Sequence, residues 1–224
     1  MDRAIIKRIL NIVIPTGVGL AVAVFSIFLN KDEYINRISN NNLESIEIIL
    51  LFIATLIWFS NYIYINIQDI ELISDAFPDL ISPITPMISV FLMIGISVGF
   101  GLLLAFAYDI VIYASIATIF ALIDLISDIS ILRLFSGRHI GEPVANPKQK
   151  IHIRYYFHHP TLLRDVLGIF VFVLPIVLLS LSESDLSTEL SHFFYFLFIF
   201  TILISEWWIT IWRKDRNKEL IELK

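Results

Sequence analysis

Cysteine is absent from this 224-residue chain. No disulfide framework, thiolate nucleophile or cysteine-type zinc site is therefore available. Several enzyme signatures are missing too. There is no phosphate-binding glycine loop, no His-Glu-x-x-His helix and no nucleophile elbow. No internal repeat stands out, which weakens an inverted-repeat transporter architecture. Together these absences point to a non-enzymatic protein that needs no cofactor or metal.

What is present is apolar surface. Apolar residues make up 57% of the chain, more than a soluble domain of this size can bury, so lipid is expected to be the solvent for much of it. A helix needs about 20 apolar residues to cross a hydrocarbon core roughly 30 Å thick. Six segments qualify: 9–29, 48–67, 84–107, 110–134, 165–182 and 190–212. Each is expected to be helical, because lipid offers no partner to backbone polar groups. The first follows Arg3, Lys7 and Arg8; it is too long for a cleaved leader and reads as a retained anchor. No long polar loop interrupts 84–134. As one helix that stretch would run about 75 Å, so it must fold back. Tyr108-Asp109 is the expected turn, with Asp109 capping the next helix.

Cations are missing from one side of this pattern. Arg3, Lys7 and Arg8 precede the first segment. Arg133, Arg138, Lys148, Lys150, Arg154 and Arg164 lie in the 133–164 region, from the inner end of the fourth to the start of the fifth. Arg213, Lys214, Arg216, Lys218 and Lys224 follow the sixth. Only Lys31 and Arg37 fall on the other side, where Asp32, Glu33, Glu44, Glu47, Asp109, Glu183, Asp185 and Glu189 make the face acidic. The positive-inside rule then predicts an all-α, six-span bundle forming a single transmembrane domain, with both termini cytoplasmic. Multi-pass insertion in a bacterial inner membrane follows, with a cytoplasmic loop at 136–164. The segment 67–82 has no cation and carries Asp69, Glu71, Asp75 and Asp79. Ile70, Ile73 and Phe77 at helical spacing, closed by Pro78, predict a short acidic helix along the inner interface; a solvated loop is the alternative.

Aromatic and small residues mark boundaries and faces. Trp207, Trp208 and Trp212 beside Arg213 form an interfacial belt. The run Phe193 to Phe198 is apolar all round and suits lipid contact or a subunit interface. Small residues let membrane helices approach closely. Gly17 and Gly19 pair with Ala21 and Ala23 in the first span. Gly95 and Gly99, with Gly101 nearby, mark the third. Ala114 with Thr118, and Ala117 with Ala121, mark the fourth. These faces serve packing within one subunit or a homo-oligomer.

Polar residues inside apolar segments carry more information. Asp124 and Asp128 lie four apart, on one helix face. Glu206 and Asn61 come to a similar depth, with Asn11 nearer the interface. A carboxylate at a span centre costs about 2.5–3.5 kcal/mol on insertion scales, so such groups face protein or water. This predicts a polar layer in the inner half of the bilayer. It could be structural, with Asp124 hydrogen-bonded to Asn61 and Asp128 paired with Arg133. It could line an ion or proton path, or do chemistry at the inner face.

The 136–164 loop is the one sizeable element outside the spans. His139, His152, His158 and His159 lie there, with His192 in the sixth span, but none shows metal-ligand spacing. The alternation through Ile151 to Tyr155 suits a short strand. Lys148, Lys150, Arg154, Tyr155 and Tyr156 form a basic, aromatic surface for a cytosolic protein partner. Membrane lipid headgroups are an alternative; nucleic acid is weakly supported. The leading expectation is a membrane subunit that self-associates and presents this platform as anchor or sensor, for example in bacterial stress or phage defence. An ion channel or pore-forming effector built on Asp124, Asp128 and Glu206 is second, and a small proton-coupled transporter third. The topology is directly testable, because the chain has no native cysteine. A Lys148→Cys variant should resist a membrane-impermeant thiol reagent in intact cells and react after permeabilisation; labelling in intact cells would overturn the orientation.

Overall fold

The structure is a computed structural model that describes residues 3–39, 42–76, 84–138, 160–181 and 184–222. Among these residues it is helical throughout, with short connections and no strand. The helices are α1 (Arg3–Phe28), α2 (Lys31–Ser39), α3 (Leu43–Ala76), α4 (Ile84–Ala105), α5 (Ile110–Arg138), α6 (Pro160–Leu181) and α7 (Ser184–Glu222).

Helix starts follow the local sequence. The Asp109 carboxylate accepts the Val111 and Ile112 amides at 3.1 and 3.0 Å, which caps α5 as the sequence predicts. Asn42 accepts the Ser45 amide at 3.0 Å and starts α3. Asn30 accepts the Glu33 amide at 3.4 Å and starts α2. Inside the apolar helices, hydroxyls turn back on their own backbone. Thr16, Ser26, Ser60, Ser115 and Thr118 each donate to the carbonyl four residues earlier. A hydroxyl satisfied in this way can face an apolar surround without an orphaned donor.

The six longer helices alternate in direction. Gly17 faces Ser97, and Ala21 and Val24 face Gly101, so α1 and α4 run parallel. Thr55 meets Tyr113, Trp58 meets Phe120 and Tyr62 meets Asp124, so α3 and α5 also run parallel. The tight 106–109 turn makes α4 and α5 antiparallel. The most extensive packing is α1 on α4, α5 on α6 and α3 on α7. Helix α2 lies apart from this pattern, bent 85° from α1.

By length and composition, two stretches can cross a membrane, Leu43–Tyr64 and Thr188–Ile211. A third counts if the bent pair Ile14–Phe28 and Lys31–Ser39 is one broken span. The stretches Ile94–Ala105, Ile110–Ile126 and Asp165–Leu181 are apolar but shorter. The described residues thus hold two or three candidate crossings by this measure, where the sequence pattern predicts six.

Two elements differ from expectation. Residues 31–39, for which the sequence pattern predicts no element, form a helix. Residues 67–76 do not form a separate interfacial helix, because α3 continues unbroken to Ala76. Neither proline nor glycine intervenes before Pro78, so nothing in the sequence forces the helix to stop. The rest of that segment, 77–82, and the strand expected at 151–155 lie outside the described residues.

The glycines sort by what they face. A Cβ on Gly101 would sit 2.6 Å from the Ala21 carbonyl oxygen and 2.8 Å from Val24 Cβ. On Gly99 it would meet the Phe120 ring at 2.7 Å, and on Gly17 the Ser97 hydroxyl at 2.7 Å. Ala117 and Ala121 are buried. A Cβ on Gly19 or Gly95 meets nothing within 4 Å. Gly101 therefore sets the α1–α4 approach, and backbone cannot yield as a side chain can. Gly101→Ala should lower stability by about 1–3 kcal/mol, the usual cost of overpacking, read by thermal unfolding in detergent. Gly95→Leu should leave unfolding unchanged. A fall in oligomer mass with Gly95→Leu alone would assign that face to self-association.

Candidate functional site

An aromatic layer fills the middle of the bundle. Phe100 of α4 is wholly buried. Its ring lies 5.1 Å from Trp58, 4.8 Å from Phe59, 5.9 Å from Tyr62 and 4.9 Å from Phe120. Trp58 stacks on Phe172 at 6.2 Å, and Phe172 meets Phe198 edge-on at 5.0 Å. Five helices, α3 to α7, each place a ring in this layer. Phenol hydroxyls flank it. Tyr113 of α5 meets Thr55 of α3 at 2.8 Å, with both residues wholly buried. Tyr62 of α3 donates to the Asp124 carboxylate of α5 at 2.7 Å.

Asp124 thus lies on a polar layer beyond the rings, toward the ends of α3, α5 and α7. Its phenol partner is Tyr62, one residue on from the Asn61 that the sequence suggested. A phenol on a longer side chain spans the gap between these helices; Asn61 stays half-buried. Asp165 of α6 and Glu206 of α7 are each only 4% exposed. Asp165 lies seven residues from Phe172 and Glu206 eight from Phe198, about 10 and 12 Å along antiparallel helices. The rings in contact set the register, so the two carboxylates come to nearly the same level. No group of three or more His, Asp and Glu side chains able to hold a metal occurs among the described residues.

The opposite end carries a second polar layer. Arg37 of α2 donates to Glu44 at 3.0 Å, to Glu33 at 3.1 Å and to the Tyr108 carbonyl at 3.1 Å. Its guanidinium also lies 5.6 Å from the Tyr108 ring centre. Burial pulls Arg37 down, but Glu44 and Glu33 more than reverse this and hold it above its ordinary range. Burial pushes the Tyr34 phenol up to about 12. His192 of α7 meets Glu47 of α3 at 2.6 Å.

Of the residues singled out by sequence, Asp124 and Glu206 fall in one polar layer. The Asp128 side chain lies outside the described part, as do Lys148, Lys150, Arg154, Tyr155 and Tyr156. Sequence reading missed Asp165, because the fifth span was drawn to begin there and the residue passed as a boundary. It also missed the Arg37 cluster, although Glu33 stands four residues before Arg37 at helical pairing distance. The chain matches no known family, no curated protein and no solved structure.

The Tyr62–Asp124 bond has a measurable weight. Tyr62→Phe removes a hydrogen bond to a carboxylate and should cost about 1.5–3 kcal/mol. Asp124→Asn keeps an acceptor oxygen for the phenol and should cost less. Chemical unfolding of both variants in detergent checks the order; a larger loss for Asp124→Asn would mean the charge itself is needed.

Proposed function

We propose that this chain is a six-span integral membrane protein with both termini and residues 136–164 in the cytoplasm. It is a non-enzymatic subunit that self-associates and offers that loop to a soluble partner, as anchor or sensor. One observation carries the preference for this over a pore: the centre of the bundle is packed with rings. Trp58, Phe100, Phe120, Phe172 and Phe198 stand between the Arg37 end and the carboxylate end. An ion crossing such a layer would lose its hydration without compensating ligands. The charge distribution supports the orientation. Arg37, one of only two cations on the acidic side, is neutralised locally by Glu33 and Glu44, so it scarcely opposes the positive-inside bias.

Burial of Asp165 and Glu206 at one depth favours a second reading. Carboxylates buried within membrane-spanning helices commonly mark ion or proton routes. Under that reading Asp124, Asp128 and Glu206 line the path and the rings move to open it. Two assays on two variants separate the readings. Replacement of Arg154, Tyr155 and Tyr156 by alanine should abolish co-purification of the cytosolic partner and leave ion flux in liposomes unchanged. Asp124→Asn should leave co-purification intact. Flux that is present in the parent and lost in Asp124→Asn, with recruitment surviving the loop changes, would replace the platform with the channel.

A further inference from the structure

The bend between α1 and α2 sets the attitude of α2. Helix α1 packs extensively on α4, and the chain turns by 85° at Leu29–Asn30 before α2 begins. A helix nearly at right angles to one that crosses a bilayer lies in the bilayer plane. Contacts on two sides then fix its rotation. The Arg37 side chain donates to Glu44 of α3 and to the Tyr108 carbonyl of the α4–α5 turn. The Arg37 carbonyl accepts the Ser45 hydroxyl at 2.7 Å. The Tyr34 ring meets the Tyr108 ring edge-on at 6.0 Å, and Tyr34 and Ile38 both pack against the core.

Successive residues of a helix stand about 100° apart, so these contacts decide where the remaining side chains point. Asp32 and Asn36 fall on the side opposite Tyr34 and Ile38, and both are exposed. Ile35 falls beside Ile38, on the flank away from Arg37, and is 61% exposed. Lys31 lies one turn earlier on the same flank and is also exposed. Tyr34, Ile38 and Ile35 thus form one apolar arc with polar residues on the other side, the pattern of helices that lie in a membrane interface. The helices that meet α2 continue it. Ile27 and Phe28 end α1, Leu43 and Ile46 begin α3, and all four are exposed.

We propose that α2 is an interfacial helix that binds the lipid surface, with Ile35 at the acyl boundary and the Lys31 ammonium among the headgroups. Asp32 and Asn36 face water, and the helix sets the depth at which the bundle rides in the bilayer. This rests on the bundle crossing a membrane, but not on which face is the outer one. Single nitroxide labels test it, because the chain has no native cysteine. The full chain is placed in liposomes of phosphatidylcholine and phosphatidylglycerol. Collision of each label with oxygen, which concentrates in lipid, is compared with collision with a water-soluble nickel chelate. The sites are Ile35→Cys, Asn36→Cys and, near the middle of the Leu43–Tyr64 stretch, Ile53→Cys. All three positions are exposed, so the labels displace no core side chain. The oxygen-to-nickel ratio at position 35 should exceed that at 36 several-fold and match a depth of about 5–10 Å into the headgroup boundary. Position 53 should give the highest ratio. Equal ratios at 35 and 36, with 53 still high, place Ile35 in water and overturn the proposal while leaving the membrane crossing intact. A low ratio at 53 as well removes the crossing and the proposal with it. Weak collision with both reagents at 35, with spin–spin broadening that disappears on dilution by unlabelled chain, would assign this flank to a second copy and also overturn it.

Discussion

Contact between rings at the middle of the bundle is the constraint on which the other interactions rest. Phe100 touches aromatic side chains of α3 and α5, and through Trp58 and Phe172 the layer extends to α6 and α7. Edge-to-face pairs are each worth about 0.5–1.5 kcal/mol beyond area burial. More important is what the layer fixes. It sets the rotation of five helices at once, and so decides which residues meet above and below it. Tyr113 finds Thr55 and Tyr62 finds Asp124 because the rings between them hold α3 and α5 in register.

The two polar ends are built differently. At the α2 end, charges lie near water and neutralise one another through short local links, such as Glu33–Arg37 and Arg37–Glu44. Exposed ion pairs are individually weak, so this end is easily rearranged. At the other end, Asp165 and Glu206 are enclosed by helices that pack along their length. Enclosed carboxylates are costly to disturb, because their surroundings must supply what water no longer does. A single aromatic layer thus separates a soft polar cluster from a stiff one.

Much of the helical order was legible in the sequence. The 84–134 fold-back and the Asp109 cap follow from length and one side chain, and both are present in the structure. Asp124 and Glu206 were legible because a charge inside an apolar run stands out. Other features were not. Helix α2 is short and polar, so hydropathy marks it as loop. Partner identity across helices was also hidden: Asn61 and Tyr62 lie at nearly equal depth, and only helix rotation decides which reaches Asp124. Gly101 was less prominent in the pattern than Gly95 and Gly99, yet it makes the tightest backbone approach. Spacing reveals which residues share a face, but not what that face meets.

The brief turn at 106–109 bears on how the protein is made. Phe106 to Asp109 separate two apolar helices and offer one carboxylate and no cation. The two helices are therefore joined as one hairpin through a turn of four residues. A ribosome halted inside α5 before residue 120 would leave Phe100 without the Phe120 ring it packs against. The ring layer is thus complete only with the return stroke of the hairpin, after α4 has already been synthesised.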